Sequence, residues 1–232
     1  MISVLSRIPA LCIRPSLRLE LRRGTGQVFP TKFVPPSTEV TPDELFSGRR
    51  NYLQVARFTL RNDTSTGLIR TDGACLHNGQ PNASAGWGIW HGLGPSGEKL
   101  TASQRLEKKG PWGDDALQTS NRAELRAVVA ALRFRLWPGE GFHKLVFATD
   151  SEYVVEGSTA WAGTWIRNGW QTRAGPVKNK DLWEVLLGEV ERLHDEGTEV
   201  QFWRIPRGGT RLRMPLRRTR LPRRMCRSSG RN

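Results

Sequence analysis

Between Leu68 and Gly79 an apolar run enters an aspartate, Asp72, and then breaks into a Gly/Asn-rich turn. A buried strand ending in a carboxylate at the mouth of a site has this form. Two further acids stand in comparable settings. Glu124 lies within Thr119–Leu125, and Asp150 closes the run Lys144–Thr149. Three acids that converge without a basic partner repel one another, and a divalent cation with oxygen ligands is their simplest stabiliser.

The surrounding pattern is α/β, a mixed five-stranded sheet flanked by helices. Strands are expected over 68–75, 85–90, 100–108, 145–149 and 200–205, with a short additional one over 53–59. The turn Gly94-Pro95-Ser96-Gly97 joins the second and third as a hairpin. The continuous apolar run 145–149 marks a strand buried on both faces. Ser120–Leu136 is the clearest helix, with Ser120 or Asn121 as its cap and Pro138-Gly139 as its stop. Helical turns follow over 152–156 and 161–167, then a loop rich in Gly, Trp, Arg and Lys over 168–180, then a long helix over 181–194. His77, His91, His143 and His194 are isolated and read as surface or loop residues. Trp161 reads as packing beneath the 168–180 loop, and Trp165 divides evenly between packing there and touching a ligand.

A length of 232 residues accommodates one ordinary domain with tails. The expected division is an extension over 1–52, a domain over 53–207 and an Arg-rich tail over 208–232. No apolar run reaches membrane-spanning length, so no membrane partner is expected. Three scattered cysteines, Cys12, Cys75 and Cys226, form neither a disulfide framework nor a zinc pattern and fit a reducing, intracellular setting. The formal charge is +14, but ten arginines lie from Arg207 onward with no acid among them; removing those ten from +14 leaves +4. The body is therefore only mildly basic. Residues 1 to about 32 carry five arginines against Glu20, the character of a mitochondrial presequence or of a disordered leader. Nucleus, cytoplasm and mitochondrion all remain open. Pro30, Pro35, Pro36 and Pro42 make the segment to Arg50 a linker-like lead-in.

From about Leu68 to Arg207 the chain resembles type 1 ribonuclease H, in the form associated with filamentous fungi. Four segments carry the resemblance: Asp72 to Gly79, Thr119 to Leu125, Ala148 to Val154 and Asn168 to Trp183. It implies endonucleolytic hydrolysis of the RNA strand of an RNA–DNA hybrid with two Mg²⁺ or Mn²⁺ ions, by a monomer with no obligate protein partner. Such chemistry needs a deprotonated water in line with the leaving oxygen, and two cations about 4 Å apart can bind both oxygens. Hard ions call for Asp and Glu, so Asp72, Glu124 and Asp150 are the expected catalytic and metal-binding residues. The resemblance places Cys75 and Asn78 at RNA 2′-hydroxyls and Asn121 and Glu152 in the minor groove beside the scissile phosphate. It places Thr119 and Asn179 at a DNA-strand phosphate, and Trp165 and Arg173 along the DNA strand. Leu117 stands where the family has an arginine near that phosphate.

The likeness stops at Arg207. Fungal relatives continue with a segment resembling Asn-x-Val-Ala-Asp-Ala-Ala-Ala-Lys, which carries a fourth metal-site aspartate and a helix closing one sheet face. This chain has no acid after Glu199. The final helix is therefore expected to be missing or altered, one sheet face left open, and activity impaired. Codons for Gly209 to Arg218 can be chosen so that reading from the third base restores the relatives' segment, which marks the tail as a frame-shifted product. The competing reading is a non-catalytic nucleic-acid-binding protein that uses the same fold and a genuine basic tail.

Overall fold

The computed structural model describes residues 20–50 and 55–207. Expectations for residues before 20 and for the 208–232 stretch, the altered final helix included, lie outside the described residues.

Strand β4 (Asp63–Leu76) is the spine of the sheet. On one side it pairs in parallel with β7 (Lys144–Thr149), and β7 pairs in parallel with β10 (Glu199–Arg204). On its other side the second half of β4 pairs antiparallel with β5 (Ser84–Leu93), which forms a hairpin with β6 (Lys99–Arg105). These are the five expected strands. The first half of β4 pairs with β3 (Ala56–Leu60), which answers to the short strand expected over 53–59. The sequence reading missed two more, β1 (Thr31–Lys32) along β10 and β2 (Phe46–Arg50) along β3, so eight strands form this mixed sheet among the described residues.

Side-chain alternation along these strands sorts the core into two layers. Ile69, Leu145, Phe147 and Phe202 face the helices α2 (Ser120–Phe134) and α5 (Lys180–Asp195). Leu68, Val146, Ala148 and Trp203 face the opposite side. Helices α3 (Glu152–Glu156) and α4 (Ala162–Arg167) are joined by a π-helical turn over 157–161. Gly157 in that turn lies against the Trp183 ring with no room for a Cβ. The loop after α4 contains a small hairpin, β8 (Gln171–Thr172) with β9 (Gly175–Pro176).

The lead-in is not a linker. Residues 30–50 build a short helix, α1 (Pro42–Leu45), and strands β1 and β2, and they cover the second sheet face. Phe33, Leu45 and Phe46 pack with Phe58, Trp90 and Trp203, so that face is not left open as expected. Asp43 from α1 also reaches Arg70, a fully buried cation held between the Phe58 and Trp90 rings. Upstream, the segment read as part of a leader is strapped along α5. Arg22 Nε donates to Gly188 O (2.8 Å). The amides of Thr25 and Gly26 donate to Glu191 Oε1 at 2.9 and 2.7 Å. The domain boundary thus falls well before residue 53, and the basic stretch from Arg22 to Lys32 belongs to the folded body. Prolines spaced through the segment masked this, because strands of two and five residues are too short to show a period.

Three smaller expectations are also corrected. Thr119, not Ser120 or Asn121, caps α2, its hydroxyl accepting from Arg122 N (3.2 Å), and the helix ends at Phe134 before a 3₁₀ turn over Pro138–Glu140. His91 is buried in β5 beside the Arg57–Glu140 ion pair, and burial followed by the Arg57 charge pushes its imidazole down to about 4. Trp161 is exposed rather than packed beneath the loop.

The strap on α5 gives a direct expectation. Glu191→Ala removes the acceptor of three backbone amides, those of Thr25, Gly26 and Gln27, and is expected to cost about 2–4 kcal/mol of stability in urea denaturation. A change within about 0.5 kcal/mol would mean that the strap does not depend on this carboxylate.

Candidate active site

Strand register brings the first two carboxylates together. The last paired residues of β4 and β7 are Arg70 and Ala148. Two residues further along each strand stand Asp72 and Asp150, at the same level and on the same face of the sheet. β7 ends at Thr149, so Asp150 leaves the ladder just where the chain turns into α3, whose cap Ser151 accepts from Val154 N (3.3 Å).

The third carboxylate depends on a missing side chain. Gly73 sits beneath α2 where any Cβ would overlap the backbone of Ala123 and Glu124. That close approach lowers the first turns of α2 onto β4 and brings Glu124 to the strand. One carboxylate oxygen from each of Asp72, Glu124 and Asp150 then falls within 4.8 Å of the others. Glu124 Oε2 is buried and has no hydrogen-bond partner among the described residues. Burial first, then the charges of Asp72 and Asp150, push Glu124 up to about 9. Clustered acids, an orphaned buried oxygen and a carboxyl that holds its proton near neutrality fit a divalent cation with oxygen ligands, and they do not fit a soft-metal site.

The acids open into a cleft of 1020 Å³. Cys75, Asn121 and Glu152 line it. The sequence reading missed Lys32, Phe33 and Thr38 of the lead-in, which also line it. Lys32 Nζ pairs with Glu156 (2.6 Å) and Arg204 with Glu152 (2.9 Å), so α3 meets its basic partners at the rim. Burial raises the Cys75 thiol, which donates to Gln118 O (3.4 Å), so Cys75 is not a poised nucleophile.

A second cleft of 770 Å³ adjoins the first across Asn121 and Tyr153, which line both. It gathers Asn78, Thr119 and Asn179. Asn78 Oδ1 accepts from Ser120 N (3.2 Å). Asn179 adopts the left-handed conformation (φ 57°), and its Nδ2 donates to the Tyr153 hydroxyl (3.2 Å). Arg122 is the unforeseen residue here. It is buried, holds Asp181 through both terminal nitrogens, and donates to Asn179 Oδ1 (3.4 Å). Its place beside Glu124 was visible in the sequence, but its partner lies 59 residues away. Trp165 and Arg173 line neither cleft. Trp165 packs between Trp161 and Trp183, and Arg173 is exposed on the small hairpin loop.

A sheet end that presents an acid trio to an open cleft defines a hydrolase-type metal site. The ribonuclease H family model matches residues 65–196. A ribonuclease H of Cereibacter sphaeroides is 42% identical over 123 residues, covering 53% of this chain and 73% of that protein. One of Cyanothece sp. is 40% identical over 137 residues, covering 59% and 75%. A solution structure of the PFV RNase H domain overlaps 61% of this chain and 78% of its own, at 24% identity and TM-score 0.41. The chain belongs to the ribonuclease H family.

The raised Glu124 carboxyl fixes a sign. Its folded value of about 9 lies above the usual 4.5, so the metal-free folded chain binds the extra proton. Its contribution to stability is complete below about pH 4.5 and is lost as pH rises through about 9. Glu124→Gln is expected to flatten that decline in chelator-treated protein. Calorimetry in buffers of different ionisation enthalpy is expected to show proton release when Mn²⁺ binds the wild type at neutral pH. Proton-neutral binding would contradict the assignment.

Proposed function

We infer that this protein is a metal-dependent endoribonuclease that hydrolyses the RNA strand of RNA–DNA hybrids. The observation that carries the reading is the acid trio, three carboxylates within 4.8 Å of one another inside the family-matched segment. Asp72, Glu124 and Asp150 would hold two Mg²⁺ or Mn²⁺ ions. Such ions, when bound, supply a water ionised near neutral pH and charge neutralisation at the leaving oxygen.

The chain's own groups supply position. Asp72, on the central strand, would hold the ions together with Glu124 and Asp150. Cys75, near the end of β4, and Asn78, in the turn after it, are suited to read 2′-hydroxyls, which both donate and accept and so separate RNA from DNA. Asn121 and Glu152 flank the acids in the same cleft and align the cleaved strand. Thr119 and Asn179 offer hydroxyl and amide groups to the other strand in the adjoining cleft. Trp165 and Arg173, outside both clefts, would act on DNA further along the duplex. The enzyme acts as a monomer.

We also propose that the filamentous-fungal form is the parent of this chain and that the stretch after Arg207 is an out-of-frame reading of its last helix. Written as GGA ACA CGG TTG CGG ATG CCG CTG CGA AGG, the codons for Gly209 to Arg218 contain Asn-Thr-Val-Ala-Asp-Ala-Ala-Ala-Lys in the shifted frame. Only ATG encodes Met214, so the shifted aspartate needs nothing more than a G ending the Arg213 codon. Genomic sequence across this window decides the matter, since bases that forbid the shifted peptide overturn it.

The activity is tested on a labelled hybrid with Mg²⁺ or Mn²⁺, using both this chain and the frame-corrected one. Cleavage of the RNA strand is expected, and Asp72→Asn is expected to reduce it by about 10²–10³-fold or more. Hybrid binding by both chains without metal-dependent cleavage would favour the non-catalytic alternative.

A further inference from the structure

The N-terminal strap fixes one arginine with unusual firmness. Arg22 is tied to Gly188 O, and Gly24 N donates to Glu184 O (2.8 Å). Gly24 lies so close to Leu187 and Gly188 that a Cβ could not be accommodated. Arg23 is therefore flanked by an anchored side chain at Arg22 and an anchored backbone amide at Gly24. Its guanidinium stacks 4.2 Å from the centroid of the Trp112 ring and pairs with Glu184 through Nη1, while 53% of the side chain stays exposed. The exposed part lines the second cleft, together with Asn78, Thr119 and Asn179.

We propose that Arg23 is a substrate-positioning residue that holds a backbone phosphate of the uncleaved strand of the hybrid. The proposal rests on the reading of the acid trio as a hybrid nuclease. Only one strand of a duplex can present its linkage to Asp72, Glu124 and Asp150. The second backbone must run beside that cleft, and the adjoining cleft across Asn121 and Tyr153 offers it neutral donors at Asn179 and Thr119. Neutral groups position a phosphate but do not balance its charge, so a cation with free donors is needed.

The other cations nearby are less suited. Both terminal nitrogens of Arg122 are engaged by Asp181, and the residue is buried. Lys180 lies 3.7 Å from Glu184, and neither it nor the exposed Lys178 on the same cleft carries a planar fork. Arg23 gives one nitrogen to Glu184 and keeps an exposed edge, and its stack on Trp112 sets the plane of that edge in advance. Planar, pre-oriented guanidinium groups suit bidentate phosphate contact. Asp114 and Asp115 stand on the same rim, with Asp115 paired to Lys109 (2.8 Å). The cleft is therefore not broadly basic, and among its cations Arg23 alone offers an exposed planar edge to an anion.

The test measures binding of the full chain carrying Asp72→Asn to a hybrid by fluorescence anisotropy over a range of salt. Adding Arg23→Gln is expected to weaken binding about five- to tenfold and to lower the log–log salt slope by about one. Arg23→Lys is expected to restore the slope but only part of the affinity. The decisive comparison uses a hybrid whose DNA strand carries neutral methylphosphonate linkages. There the penalty of Arg23→Gln is expected to vanish, an outcome that general misfolding would not give. An unchanged affinity and slope on the ordinary hybrid, or a full penalty on the neutral one, would overturn the proposal. Failure of the Asp72→Asn parent to bind hybrid at all would instead remove the nuclease reading, and this proposal with it.

Discussion

Three carboxyls are held within 4.8 Å of one another, and burial first, then the charges of Asp72 and Asp150, keep the proton on Glu124 up to about pH 9. Nothing in the trio favours its own assembly. The arrangement persists because the scaffold imposes it. The parallel ladder between β4 and β7 sets Asp72 level with Asp150, and the absent side chain of Gly73 lets α2 descend far enough to deliver Glu124. The folding free energy of the sheet and helices is thus spent in part on an electrostatically unfavourable cluster, which a cation with oxygen ligands relieves. Strain of this kind belongs at functional sites, where the rest of the fold over-determines the geometry.

The same scaffold depends on residues that precede the family-matched segment. The strap from Arg22 to Gln27 lies on α5, and the lead-in from Thr31 to Arg50 covers the second face of the sheet. Residues of the lead-in also wall the catalytic cleft, and Arg23 enters the second cleft. Structure and substrate contact are therefore coupled in this region. A segment that buries Trp203 and Phe58 also decides where Lys32 and Thr38 stand relative to the acids.

The central elements were legible in the sequence because their periods are long and their boundaries are marked. β4, β7, α2 and α5 announce themselves by apolar runs, alanine-rich helix and Gly or Pro stops; Asp150 follows from where β7 ends, whereas Asp72 lies inside β4, which runs on to Leu76, and Glu124 early in α2. The lead-in was not legible. Its strands are short, its prolines imitate a linker, and some of its partners lie more than 100 residues away, as with Lys32 and Glu156. Arg122 and His91 escaped for a related reason. Each is a polar residue whose role is set by a distant charge, Asp181 for one and the Arg57–Glu140 pair for the other. Trp161 and Trp165 show the converse limit. Two tryptophans four residues apart gave no local signal to separate the exposed ring from the packed one, and only their placement against Trp183 does so.

The central claim is that Asp72, Glu124 and Asp150 together form a divalent-cation site. Crystals of the full chain soaked in Mn²⁺ and measured at the manganese absorption edge test it most directly. The account predicts anomalous density within coordinating distance of all three carboxylates, lost when Asp150 is replaced by Asn. Manganese bound elsewhere with this trio left vacant, or density at the trio that survives Asp150→Asn undiminished, would contradict it.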